Sequence, residues 1–354
     1  METTRHPRRA ANFIILIILV SACAPLKQTK PLSNAESFEP QTVTITPTLV
    51  PIQPEITFRF QASSTENSHL AANTVTPTNN PIISISQTST PENIIRFAVI
   101  GDYGEAGIGE KEVSDLVHSW NPDFILTVGD NNYPDGAAST IDANIGQYYH
   151  DYIYPYKGNF GSGALTNKFF PSLGNHDWLT LGANPYIDFF ALPGNERYYS
   201  FEFGSVSFFV VDSDYRNPDG IVASSRQATW LKNSLADSTS PWKIVYFHLP
   251  PYSSGIEHGS TPELQWPFQV WGATTVLSGH DHLYERLIIN GFPYFNDGLG
   301  GNGKYGFNSS PVPGSQVRYN SDYGALLVTA SASAISFQFI NVQNQVIDTY
   351  DISK

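Results

Sequence analysis

The stretch "DFILTVGDNNYPDG", residues 123–136, ends an apolar run at Asp130 and places Tyr133 three residues later, just before a turn. The apolar run is typical of a buried strand, and the Pro-Asp-Gly sequence is typical of a turn. Upstream, the stretch "NIIRFAVIGD", residues 93–102, also ends at an aspartate, Asp102. We therefore predict two strands that present carboxylates at one edge of a sheet.

The segment between these strands predicts a helix. In "GEKEVSDLVHSW", residues 109–120, apolar side chains recur at helical spacing. A further helix is predicted within residues 139–156, and "KFFPSLGNHD", residues 168–177, predicts a third strand that leads into Asn175, His176 and Asp177. This βαβαβ order favours parallel strands with helices packed on the sheet.

Strand patterns continue through the rest of the chain. Adjacent strands are predicted in residues 198–204 and 206–214, followed by a helix in residues 224–235. The stretch "WKIVYFHLPP" predicts a strand that ends at His248, and "ATTVLSGHDH" predicts one that ends at His280 and His282. Residues 324–340 alternate with a period of two, which favours antiparallel strands.

The charge of the chain limits its partners. Residues 1–94 carry six Lys or Arg and six Glu, so the net charge of -13 lies entirely in residues 95–354. An acidic domain repels polyanions, so we predict no nucleic-acid partner. Binding of a small anion would require local positive charge, such as metal ions.

The N-terminus resembles an export signal. Three arginines precede the apolar run "FIILIILV", residues 13–20, which is too short to span a bilayer. The stretch "VSAC", residues 20–23, resembles a bacterial lipobox, and Cys23 is the only cysteine in the chain. We predict a signal peptide (1–22) and lipidation of Cys23; an ordinary signal peptide with a chance cysteine is the alternative. We expect the protein to be a bacterial lipoprotein that is exported from the cytoplasm and anchored to a membrane.

Residues 23–93 are rich in Thr, Ser, Pro and Asn and have no sustained apolar period. Such a segment buries too little apolar surface to offset the entropy of ordering it. We predict an extended tether here, and a catalytic domain over residues 94–354 that acts as a monomer.

The polar residues at the predicted strand ends are of the types that bind metals. They comprise two aspartates, an asparagine, a tyrosine and several histidines, which exceeds the ligand set of one ion and suits two. In "GHDH" the two histidines would share one side of an extended backbone, with Asp281 pointing away. Taken singly, an aspartate after a strand is most often a turn or cap residue, so the prediction depends on their joint occurrence.

The motifs "GDYG", "GDNNY", "GNHD", "VYFH" and "GHDH" occur in this order over about the last 260 residues. Together they resemble the metallophosphoesterase (calcineurin-like) superfamily. The tyrosine in "GDNNY" narrows the resemblance to the purple acid phosphatases of the tartrate-resistant type. The fold implied is a four-layer α/β/β/α sandwich of two mixed sheets.

The resemblance implies a binuclear centre that hydrolyses small phosphomonoesters. A ferric ion would be held by Asp102, Asp130, Tyr133 and His282. A divalent iron, zinc or manganese ion would be held by Asp130, Asn175, His248 and His280. The resemblance makes His176 the candidate general acid, with Asp177 as its orienting partner and His258 as a further substrate or leaving-group contact. His258 follows His248 by ten positions, one more than in the small mammalian enzymes, which leaves its role open.

Two other functions are compatible with these motifs. One is a phosphodiesterase that acts on nucleotides or phospholipid head groups with the same metals. The other is a surface binding protein with a vestigial metal site, although the complete set of candidate ligands disfavours it.

Overall fold

The computed structural model describes residues 93–354, which form two mixed β-sheets with helices packed on them. The strands are, in chain order, β1 (Ile95–Ile100), β2 (Phe124–Thr127), β3 (Phe169–Pro171), β4 (Tyr199–Phe203), β5 (Val206–Val210), β6 (Trp242–Tyr246), β7 (Thr275–Ser278), β8 (Tyr284–Ile289), β9 (Phe292–Asp297), β10 (Ser315–Tyr319), β11 (Gly324–Ala330), β12 (Ala334–Asn341) and β13 (Val346–Ser353). The α-helices of these residues are α1 (Ile108–Trp120), α2 (Gln147–Tyr149), α3 (Asn184–Phe189), α4 (Arg226–Asp237) and α5 (Phe268–Trp271).

The first sheet has the order β13-β12-β11-β1-β2-β3, and the second has the order β10-β8-β9-β7-β6-β5-β4. Strands β1, β2 and β3 are parallel, as are β5, β6 and β7, while the C-terminal strands pair antiparallel. The predicted class, an α/β sandwich of two mixed sheets, is confirmed. Strands β8, β9 and β10 lie in a segment for which the sequence patterns made no prediction.

A continuous apolar core lies between the sheets. The ring of Phe97 on β1 meets the ring of Phe208 on β5 edge to face, with centroids 5.2 Å apart. Helix α1 packs against the first sheet, and its Val113 and Val117 belong to the same buried cluster. A separate cluster packs Leu231 of α4 against the other face of the second sheet. The sheets are thus covered on their outer faces by helices, which gives the layered arrangement.

The predicted helix within residues 139–156 is broken into three short pieces. A π-helical turn, Asp142–Gly146, is followed by α2 and then by a 3-10 turn, His150–Tyr152. The signal peptide predicted for residues 1–22, Cys23, and residues 24–92 of the predicted tether lie outside the described residues. Within residues 93–354, no helix is long and apolar enough to cross a membrane.

Both sheets direct polar side chains to one place. The chain leaves β1, β2 and β3 of the first sheet and β6 and β7 of the second at their carboxyl ends, and the predicted site residues follow directly. Ligands of parallel sheets gather beyond these strand ends. The fold therefore brings the segments after five strands into a common crevice.

Candidate metal centre

The first group of polar atoms surrounds the hydroxyl of Tyr133. This oxygen lies 2.9 Å from Oδ2 of Asp130, 3.3 Å from Oδ1 of Asp102 and 3.2 Å from Nε2 of His282. Nε2 of His282 is in turn 3.4 Å from Oδ1 of Asp102. Four residues from three separate loops thus converge, and they are the four that the resemblance assigns to the first ion.

The second group surrounds Nε2 of His248. This nitrogen lies 2.9 Å from Oδ1 of Asn175, 3.1 Å from Nδ1 of His280 and 3.3 Å from Oδ2 of Asp130. The same oxygen of Asp130 therefore belongs to both groups. A single carboxylate shared by two donor sets is the arrangement in which it can bridge two cations.

The spacing of these atoms fits metal ligation. Ligands about 2.0–2.2 Å from a small cation lie about 3.0–3.4 Å from one another in octahedral or tetrahedral geometry. The distances in both groups fall close to this range. Asp130, His248 and His280 by themselves already offer three ligand atoms that all lie within 4.8 Å of one another. The residues present therefore fit a binuclear centre.

The backbone around the site fixes one oxygen of each aspartate. Oδ1 of Asp130 accepts a hydrogen bond from the backbone N–H of His176 (2.9 Å), and Oδ2 of Asp102 accepts one from that of His280 (2.8 Å). Asp102, Asp130 and His280 have φ values of 55°, 52° and 72°, in the left-handed region that non-glycine residues seldom adopt. These turned backbones aim the second carboxylate oxygens into the crevice.

The tautomer of His248 also points to a cation. Its Nδ1 donates to the carbonyl oxygen of Val128 (2.9 Å), so in the neutral ring Nε2 carries a lone pair. That lone pair faces the oxygens of Asn175 and Asp130, which are acceptors as well. A proton or a metal ion on Nε2 makes these contacts favourable. Metal-ligating histidines commonly donate their other N–H to a backbone carbonyl in this way.

Burial and the carboxylates of Asp102 and Asp130 together set the ionisation of His248 and Tyr133. Burial alone lowers the pKa of His248, but the charges of Asp130 and Asp102 outweigh it and raise that pKa to about 10. Burial and the same two carboxylates raise the pKa of Tyr133 well above its ordinary value. Without a cation, therefore, a proton on His248 offsets part of the negative charge and the phenol of Tyr133 stays protonated. A bound cation could replace that proton.

His176 lies at the edge of the first group. Its Nδ1 donates to the carbonyl oxygen of Pro134 (2.5 Å), which leaves Nε2 facing the crevice, 4.0 Å from Oδ2 of Asp130. The ring packs against Tyr133, with centroids 4.4 Å apart. The group that hydrogen-bonds Nδ1 of His176 is thus the Pro134 carbonyl, whereas Asp177, predicted as the orienting partner, makes its hydrogen bonds to Asn131 and Gly174.

Asp177 instead joins two of the loops that carry candidate ligands. Its buried carboxylate accepts hydrogen bonds from Nδ2 (2.8 Å) and the backbone N–H (3.2 Å) of Asn131, and from the backbone N–H of Gly174 (2.8 Å). Asn131 also donates to the carbonyl of Ser172. Asn131 lies within "GDNNY", and its residue type alone does not reveal this structural role. The side chain of Asp177 points into the protein interior, whereas the side chain of the adjacent His176 points toward the crevice.

The rim of the site contains stacked aromatic rings. His258 stacks on His280 with centroids 3.8 Å apart, and Tyr305, which lies in no recognisable motif, stacks on His282 at 4.0 Å. Asp281 points away from the crevice, as predicted, and accepts from the backbone N–H groups of the His258 loop. His258 therefore lies beside the second donor group, where a substrate contact is geometrically feasible.

Comparison with known proteins agrees with these observations. The model of the calcineurin-like phosphoesterase family matches residues 95–284. Purple acid phosphatase 15 of Arabidopsis thaliana is 31% identical over 223 residues, which cover 54% of this chain and 40% of the relative. Tartrate-resistant acid phosphatase type 5 of Mus musculus is 26% identical over 254 residues, which cover 61% of this chain and 75% of the relative.

Solved structures share the fold at low identity. A purple acid phosphatase, PPD1, from yellow lupin (Lupinus luteus) seeds superposes with a TM-score of 0.61 at 20% identity, covering 74% of this chain and 54% of that one. GAP50, described as the anchor in the inner membrane complex of Plasmodium, superposes with a TM-score of 0.58 at 21% identity, covering 73% and 89%. At such identities the likeness concerns the fold alone, and the chain spans about half or less of purple acid phosphatase 15 and of the lupin protein.

Proposed function

We propose that this chain, which belongs to the calcineurin-like phosphoesterase family, hydrolyses phosphomonoesters with a binuclear centre of Fe(III) and a divalent metal. The observation that carries the proposal is the shared Oδ2 of Asp130, which lies 2.9 Å from the Tyr133 hydroxyl and 3.3 Å from Nε2 of His248. Two donor groups that meet at one carboxylate oxygen form the arrangement in which that carboxylate can bridge two cations.

The residues that would hold the metals are those of the two groups. The ferric ion is assigned to Asp102, Asp130, Tyr133 and His282, and the divalent iron, zinc or manganese ion to Asp130, Asn175, His248 and His280. When bound, such a pair activates water and stabilises the charge that grows on the phosphoryl oxygens. In a domain with excess negative charge, the centre also provides the local positive charge that an anionic substrate needs.

The protein itself supplies the proton for the leaving group. Because Nδ1 of His176 is engaged by the Pro134 carbonyl, the proton that the ring can transfer is at Nε2, on the side of the crevice. The ring is held there by its contact with Tyr133. His176 is thus proposed as the general acid, and His258 as a substrate contact at the rim.

The fold by itself does not imply phosphatase activity. GAP50 has the same fold and is described as an anchor, so a binding protein with a vestigial site is a real alternative. A complete pair of donor groups favours an active centre over that alternative. A phosphodiesterase would use the same residues, and the test below separates it from a monoesterase.

The experiment combines metal analysis with turnover. We expect two metal ions per chain, including one iron, and faster hydrolysis of nitrophenyl phosphate than of bis-nitrophenyl phosphate. His248→Ala should lose the divalent ion and most activity, because Nε2 is the centre of the second group. His150→Ala is the matched control, since its ring bonds the Gly146 carbonyl and lies outside both groups. Faster turnover of the diester, or wild-type protein without metal, would refute the proposal.

The expected location is part of the same proposal. The export signal and Cys23 are proposed to place a monomeric enzyme outside the cytoplasm on a lipid anchor. Its partners are then small phosphate esters and the membrane that holds the lipid, with no nucleic acid.

A further inference from the structure

A groove beside the metal centre is not used by the chemistry described above. It encloses about 550 Å³ and is lined by Trp178, Leu179, Leu181, Gly182, Arg197, Arg216 and Pro218. Leu179 and Leu181 are 55% and 88% exposed, whereas the Trp178 ring behind them is 7% exposed. Exposed apolar side chains beside a pocket make it a candidate site for an apolar ligand. The volume is within the range of small-molecule pockets.

The groove continues directly from the metal centre. Trp178 follows His176 by two residues in the same turn. Across the groove, Nη2 of Arg216 donates to the backbone carbonyl of Asn175 (3.0 Å), a candidate ligand of the divalent ion. The wall of the groove and the edge of the centre are therefore the same stretch of backbone. The groove therefore begins at the backbone of Asn175 and at the turn that follows His176.

The walls are held in place by polar contacts that leave the apolar surface open. The guanidinium of Arg197 lies 4.8 Å from the centroid of the Trp178 ring and donates to the Gly182 carbonyl (2.9 Å). Nε1 of Trp178 donates to the buried carboxylate of Asp212 (3.1 Å). Such a surface is formed before a ligand arrives, so binding need not order it.

We infer that the groove binds the leaving alcohol of the substrate and that this alcohol is apolar, with an alkyl chain or an aromatic ring. The inference rests on the proposed function, because the general acid must lie beside the leaving-group oxygen and His176 is the proposed acid. An alcohol oxygen next to His176 directs its carbon substituent toward Trp178 and the two leucines. The substrates favoured by this site are phosphomonoesters of apolar alcohols rather than of small polar ones.

The test compares ethylphosphonate with hexylphosphonate, which have the same head group and cannot be hydrolysed. Binding to the metal-loaded full chain is measured by calorimetry. Four additional methylenes, each about half removed from water, should tighten binding about tenfold. The double variant Leu179→Ser with Leu181→Ser should reduce this ratio to about twofold or less. Leu165→Ser and Val270→Ser are matched controls, because these side chains are 94% and 84% exposed and lie outside the groove, so they should retain the tenfold ratio.

Equal binding of the two phosphonates would overturn the inference, and so would a tenfold ratio that survives the double variant. If the wild type dimerises in sedimentation and Leu181→Ser is monomeric, a second copy covers the groove and the inference is also wrong. Turnover of ethyl and hexyl phosphate separates this inference from the proposed function. If hexylphosphonate binds more tightly but neither ester is hydrolysed, the proposed phosphatase function is wrong. The groove would then still be a binding site for an apolar chain.

Discussion

Replacing Asp177 with alanine should destabilise the protein strongly and weaken its metal centre. The carboxylate is buried and accepts hydrogen bonds from the side chain and backbone of Asn131 and from the backbone of Gly174. Those two residues lie next to Asp130 and Asn175, which are candidate ligands. The substitution therefore releases two loops that must stay together for both donor groups to form.

The size of the effect follows from the three released donors. Each buried donor left without a partner costs about 1–3 kcal/mol, and water entering the space left by the side chain recovers part of that cost. The expected loss in the free energy of unfolding is about 3–5 kcal/mol. Asp177→Asn keeps one acceptor oxygen in the same place, so its loss should be about half as large.

The assay is equilibrium unfolding in urea of the metal-free protein. Burial and the nearby charge of Asp130 raise the pKa of Asp177 to about 7, so ionisation of this carboxylate lowers the stability of the wild type as the pH rises, and all variants are compared at about pH 5, where the group is protonated in the folded state. The control is Asp123→Ala, because that carboxylate accepts one bond from the backbone of Arg96 (2.8 Å) at the surface. Water can replace this bond, and the expected loss is below about 1 kcal/mol.

Kinetics supply the second readout. If Asp177 acts through the loops, the rate of Asp177→Ala falls by the same factor for alkyl and nitrophenyl phosphates. A loss below about 1 kcal/mol in stability, together with a rate defect confined to alkyl phosphates, would refute the reasoning. That pattern would restore Asp177 as the partner that orients His176.

Three further outcomes are expected. His176→Ala should slow hydrolysis of alkyl phosphates about 10²–10⁴-fold and nitrophenyl phosphate much less, because a good leaving group needs little protonation; equal factors would exclude His176 as the acid. Oxidised wild-type protein with bound iron should absorb in the visible through charge transfer from the Tyr133 phenolate, and Tyr133→Phe should lose the colour while keeping the fold in circular dichroism; colourless iron-loaded wild type would contradict the ferric-phenolate assignment. Cys23→Ala should abolish labelling by a fatty-acid probe in cells, and labelling equal to that of the wild type would show that Cys23 carries no lipid.

Much of the site could be predicted from local sequence. The strand that ends at Asp130 is a short apolar run followed by a turn, and the same holds for the strands that lead to Asp102, His248 and His280. A residue that follows a parallel strand lies at the carboxyl edge of its sheet whatever the rest of the chain does. The local pattern is therefore sufficient to place each residue at the carboxyl edge of its own sheet, whereas the packing of the two sheets brings these edges together.

Such local patterns could not predict which distant strands pair in the sheets. Strand β1 lies between β2 and β11, and β11 is more than two hundred residues further along the chain. Strand β9 has no alternation of apolar and polar residues, because it is buried along its whole length. Strand order depends on which apolar faces pack together, and a local pattern of apolar residues does not carry that information.

The sequence by itself thus determined which side chains stand at the strand ends and, through their chemistry, that they suit two metal ions. Only the tertiary structure decided that Oδ2 of Asp130 belongs to both groups, that Asp177 bonds Asn131, 46 positions away, and that Leu181 and Arg216 border one groove. The physical reason is that residue type and spacing determine local conformation and available chemistry. The direction of a side chain and its partner depend on backbone turns, such as the positive φ of Asp130, and on neighbours from distant segments.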